Sequence, residues 1–247
     1  MGLKKHNQME KWSMRTMFGP NMSFSVTEAY KLLRANIMFS FSDEGRGHVI
    51  GITSSLQAEG KSSTAVNTAY ALAESGARVL LMDADLRRPS VASKLGLAKT
   101  PGLTNIMVTK GDYRELLQHN SMAPGMDVLT SGDVPPNPSE LLGSARMENL
   151  MRELTSAYDY VIVDLPPVNV VSDAIAMSKV LDGVIMVVRK GVSEQRMLAE
   201  ALRQLKLVNV RILGFVFREN ELGGNKYSRK YNYQNKKYYP EYIKKRK

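Results

Sequence analysis

An apolar run over residues 49–53 leads into Ser55-Leu56-Gln57-Ala58-Glu59-Gly60-Lys61-Ser62, and a helix-like run over 64–74 follows at once. A strand, a tight loop ending in Gly-Lys-Ser and a helix, in that order, make a phosphate-binding loop in its proper setting. The chemistry needs this layout. Backbone N–H groups of the loop and the positive end of the helix wrap the phosphates, Lys61 neutralises the terminal ones, and the Ser62 hydroxyl ligates Mg2+. Gly60 lets the backbone approach closely. The expected nucleotide-binding set is Ser55, Ala58, Glu59, Gly60, Lys61, Ser62 and Ser63. One departure from G-x-x-x-x-G-K-[ST] is visible: its first position is Ser55, a small residue but not glycine.

Around the loop the chain alternates between strand and helix. A helix is expected to begin near Ser25 or Thr27, with Thr27 as its cap and Ala29, Leu32, Leu33 and Ile37 at helical spacing. Then come strand 48–53, helix 61–75, strand 78–82, short helical pieces at 91–95, 104–107 and 113–119, and strand 126–130. After Pro135-Pro136-Asn137-Pro138 a helix starts at Ser139, followed by helix 145–156, strand 160–164, helix 172–180, strand 183–188, helix 193–207 and strand 211–217. Val161 to Val163 and Val184 to Val188 are apolar without alternation, as in strands covered on both faces. The predicted fold is therefore α/β, a doubly wound, mostly parallel sheet of the P-loop NTPase type with helices on both faces.

Such sheets bind ligands at the carboxyl ends of their strands, and three carboxylates should meet the loop there. Asp83 and Asp85 follow Leu80-Leu81-Met82, and Asp164 follows Val161-Ile162-Val163. A buried carboxylate needs a cation or strong hydrogen bonds, and Mg2+ brought in with ATP is the obvious cation. Mg2+ takes only one or two protein ligands, so some of these carboxylates must act through water or on substrate.

With 247 residues, 43% of them hydrophobic, the chain can form one large domain with two tails. The expected division is a flexible leader over 1–24, a P-loop domain over 25–224 and a basic, tyrosine-rich tail over 225–247. The absence of cysteine excludes a disulfide framework and a thiolate metal site. No apolar stretch approaches the roughly 18 to 20 residues of a membrane span, and no signal peptide is visible. His6 also stands where an N-myristoylation signal has Ser or Thr. A cytoplasmic protein is expected. The formal charge of +10 resides largely in the tail, where nine basic residues from Lys226 onward face one acid, Glu241. That concentration fits a solvated extension, or contact with anionic lipid or an acidic partner, better than a surface that reads bases, and no nucleic acid is expected.

The segments 28–37, 52–63, 81–89, 138–142 and 158–167 together resemble the bacterial tyrosine kinases of capsular and exopolysaccharide synthesis, over nearly all of the chain from Thr27 onward. The resemblance implies a P-loop fold unrelated to eukaryotic kinases. It casts Lys61 and Ser62 as Walker A, Asp83 and Asp85 as Walker A′, and Asp164 as Walker B. ATP and Mg2+ are the implied cofactors, with Ser62, Asp83 and Asp164 around the metal and Lys61, Asp83 and Asp85 as the catalytic set. The implied phosphorylation cluster is Tyr227, Tyr231, Tyr233, Tyr238, Tyr239 and Tyr242, six of the chain's 11 tyrosines. Glu28, Lys31 and Arg34 match an element that joins subunits in a ring. A separate transmembrane activator or chain-length regulator, recruitment through it to the inner face of the plasma membrane, protein tyrosine substrates and a cognate tyrosine phosphatase complete the implied partners.

Three positions depart from that family's pattern. Ala58 replaces a glycine; if that glycine has positive φ, alanine costs about 1 to 2 kcal/mol there. Lys31 replaces an arginine and cannot form a bidentate fork. Leu165 follows Asp164 where a small polar residue is expected. Two competing classes share the loop. One is an ATPase switch of the septum-positioning or partition type, which carries an additional lysine near the loop's start, where this chain has Thr53-Ser54-Ser55, and lacks a tyrosine cluster. The other is a scaffold that binds ATP and phosphorylates nothing.

Overall fold

The computed structural model describes residues 22–41, 45–109, 111–119 and 125–219. Its elements are α1 (Phe24–Ser40), β1 (His48–Ser54), α2 (Lys61–Glu74), β2 (Val79–Asp83), α3 (Val91–Leu95), α4 (Leu103–Thr109), a 3-10 turn (Tyr113–Leu116), β3 (Gln118–His119) and β4 (Met126–Leu129). They continue with α5 (Pro138–Leu142), α6 (Ala145–Ala157), β5 (Tyr160–Asp164), α7 (Asp173–Ala176), a second 3-10 turn (Met177–Val180), β6 (Gly183–Arg189), α8 (Gln195–Leu207) and β7 (Ile212–Arg218). The strands form one sheet in the order β3-β4-β2-β5-β1-β6-β7, parallel except for β3 at one edge. The doubly wound reading is borne out.

The unbroken apolar runs have a simple cause. Val49, Val161, Val163, Val184 and Met186 face one side of the sheet, where they pack with Met147, Leu150 and Leu154 of α6 and Ala201 and Leu205 of α8. Ile50, Ile52, Ile162, Ile185 and Val187 face the other, against Ala65, Val66, Ala69 and Leu72 of α2 and Ile37 of α1. Both faces are dry, so both sets of alternating positions are mostly apolar and the buried polar residues fall at the strand ends, His48, Thr53, Ser54, Asp83 and Asp164. Each such side chain, fully buried, contributes about 1.5 to 3 kcal/mol. β7 is the exception: at the sheet's edge it leaves Phe215 and Phe217 exposed.

Four expected boundaries shift. α1 begins at Phe24 with Ser23 as its N-cap, and the Thr27 hydroxyl donates back to the Ser23 carbonyl from within the first turn, so Thr27 is not the cap. Met22 is already buried beside Tyr30 and Ala71. The piece expected as helix over 113–119 is a 3-10 turn, started by Asp112 accepting from the Arg114 amide, followed by strand β3. The Gln118 side chain brackets Ala98, accepting from its amide and donating to its carbonyl, and this holds the segment extended beside β4. α5 starts at Pro138 rather than Ser139, because proline's fixed φ and missing N–H suit a first helical position. The helix expected over 172–180 is α-helical only to Ala176 and then tightens to 3-10, which places Met177 wholly inside the core. Among the described residues no helix is long and apolar enough to cross a membrane.

Candidate active site

β1 lies between β5 and β6, and β2 lies beyond β5, so the loops leaving β1, β2 and β5 open at one end of the sheet. Register places Asp83 directly beside Asp164, and Asp164 beside Ile52 of β1. The three expected elements therefore converge.

The loop between β1 and α2 is held from several directions. Gly60 has φ of 97°, which favours glycine, and a Cβ there would displace the Arg218 guanidinium that lies against it. Ala58 has φ of 62°, the left-handed conformation in which an L side chain costs about 1 to 2 kcal/mol. The Glu59 side chain turns inward instead of facing a ligand: wholly buried, it accepts from the Ser55 amide at 2.9 Å and the Ser55 hydroxyl at 2.8 Å. Glycine could not supply that hydroxyl, so serine in the first motif position is part of the loop's closure. Arg189 donates to the Ala58 carbonyl at 2.7 Å and Arg218 to the Gly60 carbonyl at 3.0 Å. Lys61 then opens α2, a helix of 14 residues whose N-terminal dipole faces the loop.

Lys61 sits among the carboxylates, 2.6 Å from Asp85 and 3.9 Å from Asp164. Burial works to lower its pKa, but Asp164, Asp85 and Asp83 together outweigh that and the net shift is upward. Asp85 also accepts from the Arg88 amide. Asp83 accepts from three backbone amides, those of Asp85, Ser90 and Val91. Burial, with the Asp164 charge next to it, still pushes the Asp83 carboxyl up to about 7. Asp164 is wholly buried and its carboxyl is likewise raised by burial, against the pull of Lys61. Among the described residues neither Asp164 oxygen has a partner at hydrogen-bonding distance, and the Ser62 hydroxyl and the Lys61 ammonium, 3.9 Å away, offset only part of its charge. A carboxylate left so bare in the interior requires a cation or water, and this is what a hydrated Mg2+ brings. Among the described residues no three His, Cys, Asp or Glu side chains form a metal cage. Asp164 with the Ser62 hydroxyl thus fits a Mg2+ that arrives on phosphates rather than one held by protein alone.

A family model described as an AAA domain matches residues 47–212. The chain is 40% identical over 196 residues to the tyrosine-protein kinase YwqD of Bacillus subtilis, covering 79% of this chain and 82% of that one. The chain belongs to the bacterial tyrosine kinases. The solved kinase domain of the Escherichia coli tyrosine kinase ETK superposes on this kinase with a TM-score of 0.75 at 30% identity, covering 81% of this chain and 78% of that one. The septum site-determining protein MinD of Pyrococcus horikoshii, solved with Mg-ADP, gives a TM-score of 0.60 at 21% identity over 73% of this chain and 72% of that one, a likeness of fold alone.

Other expected residues of the kinase lie away from the loop. Glu28 and Lys31 pair with each other on the exposed side of α1 at 2.9 Å. Arg34 reaches the other way, donating to the Ala71 carbonyl at 3.0 Å and lying 3.6 Å from Glu74, near the end of α2. Leu165 fills the space that Gly51 leaves open on β1 and is wholly buried, which accounts for an apolar residue after Asp164. The six tail tyrosines lie outside the described residues.

Several residues near the kinase site were not anticipated. Arg189 and Arg218 end β6 and β7 in matched register, and a cation closing an apolar strand beside the loop strand was the available signal. Lys94 on α3 has its pKa lowered by burial and by the charges of Arg218 and Lys61, with Asp164 acting oppositely. Arg87 forks onto Asp173 at 2.9 and 3.1 Å, and Asp173, wholly buried, also accepts from the Ser139 hydroxyl at 2.9 Å. No local pattern links residues 87, 139 and 173; only the fold does.

Proposed function

We propose that this kinase transfers the γ-phosphoryl group of ATP to tyrosines of its own C-terminal cluster, Tyr227 to Tyr242, in a neighbouring copy, and by that means regulates capsular or exopolysaccharide synthesis. The observation that carries the reading is the bare, buried Asp164 beside Lys61 at the foot of a well-formed phosphate loop. Lys61 exchanges its contact with Asp85 for the β and γ phosphates, whose charge it neutralises. Ser62 and Asp164, with Asp83 behind them, would hold Mg2+, which when bound neutralises charge on the phosphates. The phenol oxygen attacks the γ phosphorus in line as the bond to the β-phosphate oxygen breaks, and ADP leaves. A phenol with a pKa near 10 needs a base. Asp83 is the carboxylate assigned to take the phenolic proton, while Asp85 orients Lys61 before ATP arrives.

The same reading includes a ring joined through Glu28, Lys31 and Arg34, a separate transmembrane activator that recruits this domain to the inner face of the membrane, and a phosphatase that resets the cluster. Each phosphate adds about 1.5 to 2 negative charges, so a few of them cancel the basic tail. Purified protein incubated with ATP and Mg2+ tests the core of it. Phosphotyrosine should form, map to residues 227–242, and vanish in Lys61→Met and in a chain ending at Glu219. Signal that survives either change sinks the reading.

A further inference from the structure

The nucleotide site reads as a loop, a lysine and three aspartates, yet two arginines from the far side of the sheet also grip that loop. Arg189 and Arg218 are directly paired across β6 and β7, and both side chains end on P-loop carbonyls, those of Ala58 and Gly60. Two guanidinium groups on neighbouring strands repel each other. Their shared aim at one loop therefore needs a reason.

Peptide geometry supplies it. In a planar trans peptide the C=O and the following N–H point in opposite directions. A donor that holds the Ala58 carbonyl outward turns the Glu59 amide to the opposite side. The Gly60 carbonyl is held by Arg218 together with the Thr64 amide and hydroxyl, each at 3.0 Å, and the Lys61 amide is turned in the same way. Ala58 is the strained member, with positive φ on a residue that has a Cβ. A charge-assisted hydrogen bond to its carbonyl is comparable in strength to that strain and opposes relaxation of the loop.

We propose that Arg189 and Arg218 are positioning residues for the nucleotide: they lock the peptide planes of Ala58 and Gly60 so that the loop keeps its phosphate-binding form, and Arg189 in particular offsets the strain at Ala58. This rests on the nucleotide-binding reading above. It also ties the loop to the end of β7, one residue before the described chain stops at Glu219, so a change at that junction reaches the nucleotide through Arg218.

Calorimetric titration of Mg-ADP into the full chain tests the clamp without any need for kinase activity. Wild type should bind. Arg189→Gln and Arg218→Gln should each weaken binding about tenfold, equivalent to about 1.4 kcal/mol, and Arg218→Lys should recover part of the loss. In kinase assays the KM for ATP should rise more than kcat falls, because the arginines touch the loop and not the reacting atoms. In the Ala58→Gly background the Arg189→Gln loss should shrink to about twofold, since the strain it opposes is gone. Affinity unchanged from wild type in both glutamine variants overturns the clamp, and a full tenfold loss in the Ala58→Gly background overturns the strain-offsetting role. If a glutamine variant fails to fold by circular dichroism, Arg189→Met and Arg218→Met decide in its place: affinity unchanged from wild type in both also overturns the clamp. Absence of Mg-ADP binding by wild type would instead remove the nucleotide reading itself.

Discussion

Asp164→Asn should abolish activity and shift the stability of the metal-free kinase in the variant's favour, relative to wild type, as pH rises. Burial raises the Asp164 carboxyl from its ordinary 3.8 to about 6. Between those values the folded state binds more protons than the unfolded state, so stability falls as pH rises through the window and stays low above it. A shift of about two pKa units corresponds to about 3 kcal/mol lost at pH 8, with about half of that already lost at pH 5. Asparagine does not titrate. Its buried amide and altered local packing change stability by amounts that do not vary over this range, whereas the attraction to Lys61 already enters the Asp164 shift. Those offsets cancel when the same variant is compared at two pH values. Urea unfolding in EDTA should therefore show the variant gaining on the order of 1 to 2 kcal/mol on wild type between pH 5 and pH 8. Neighbouring Asp83 moves the result in the same direction, since the Asp164 charge helps to raise it. A stability difference equal at both pH values, or one that moves towards wild type from pH 5 to pH 8, would refute an under-compensated buried carboxylate at this position.

Two further outcomes follow from particular contacts. Ala58→Gly relieves a left-handed strain of about 1 to 2 kcal/mol but adds unfolded-state freedom of about 0.4 to 1 kcal/mol, so thermal unfolding should show a net gain of about 0.5 to 1 kcal/mol. Arg87→Ala leaves the buried Asp173 with the Ser139 hydroxyl as its main remaining donor and should cost about 2 to 3 kcal/mol in urea unfolding; adding Asp173→Asn should recover part of the loss.

Most of the architecture was legible along the chain because strands with two dry faces are dominated by apolar residues, and those strands alternate with helical segments along the chain. The elements that shifted are short. The extended segment at Gln118–His119 and the truncated α7 each depend on distant partners, Ala98 holding Gln118 in one case and core space for Met177 in the other. Helix propensity over four or five residues cannot outweigh such contacts.

At the site, the sequence alone determined the phosphate loop, the three aspartates and the order in which they arrive, because each stands at a fixed offset from the end of its own strand. Tertiary structure decided what those residues do before ATP arrives: Glu59 turned inward to Ser55, Asp83 tied by three amides, Asp164 left bare, and two arginines brought from strands more than a hundred residues away to hold Ala58 and Gly60. Local spacing specifies where a backbone turns. Which charges then meet depends on strand order and register, properties of the folded sheet that no short stretch of chain contains.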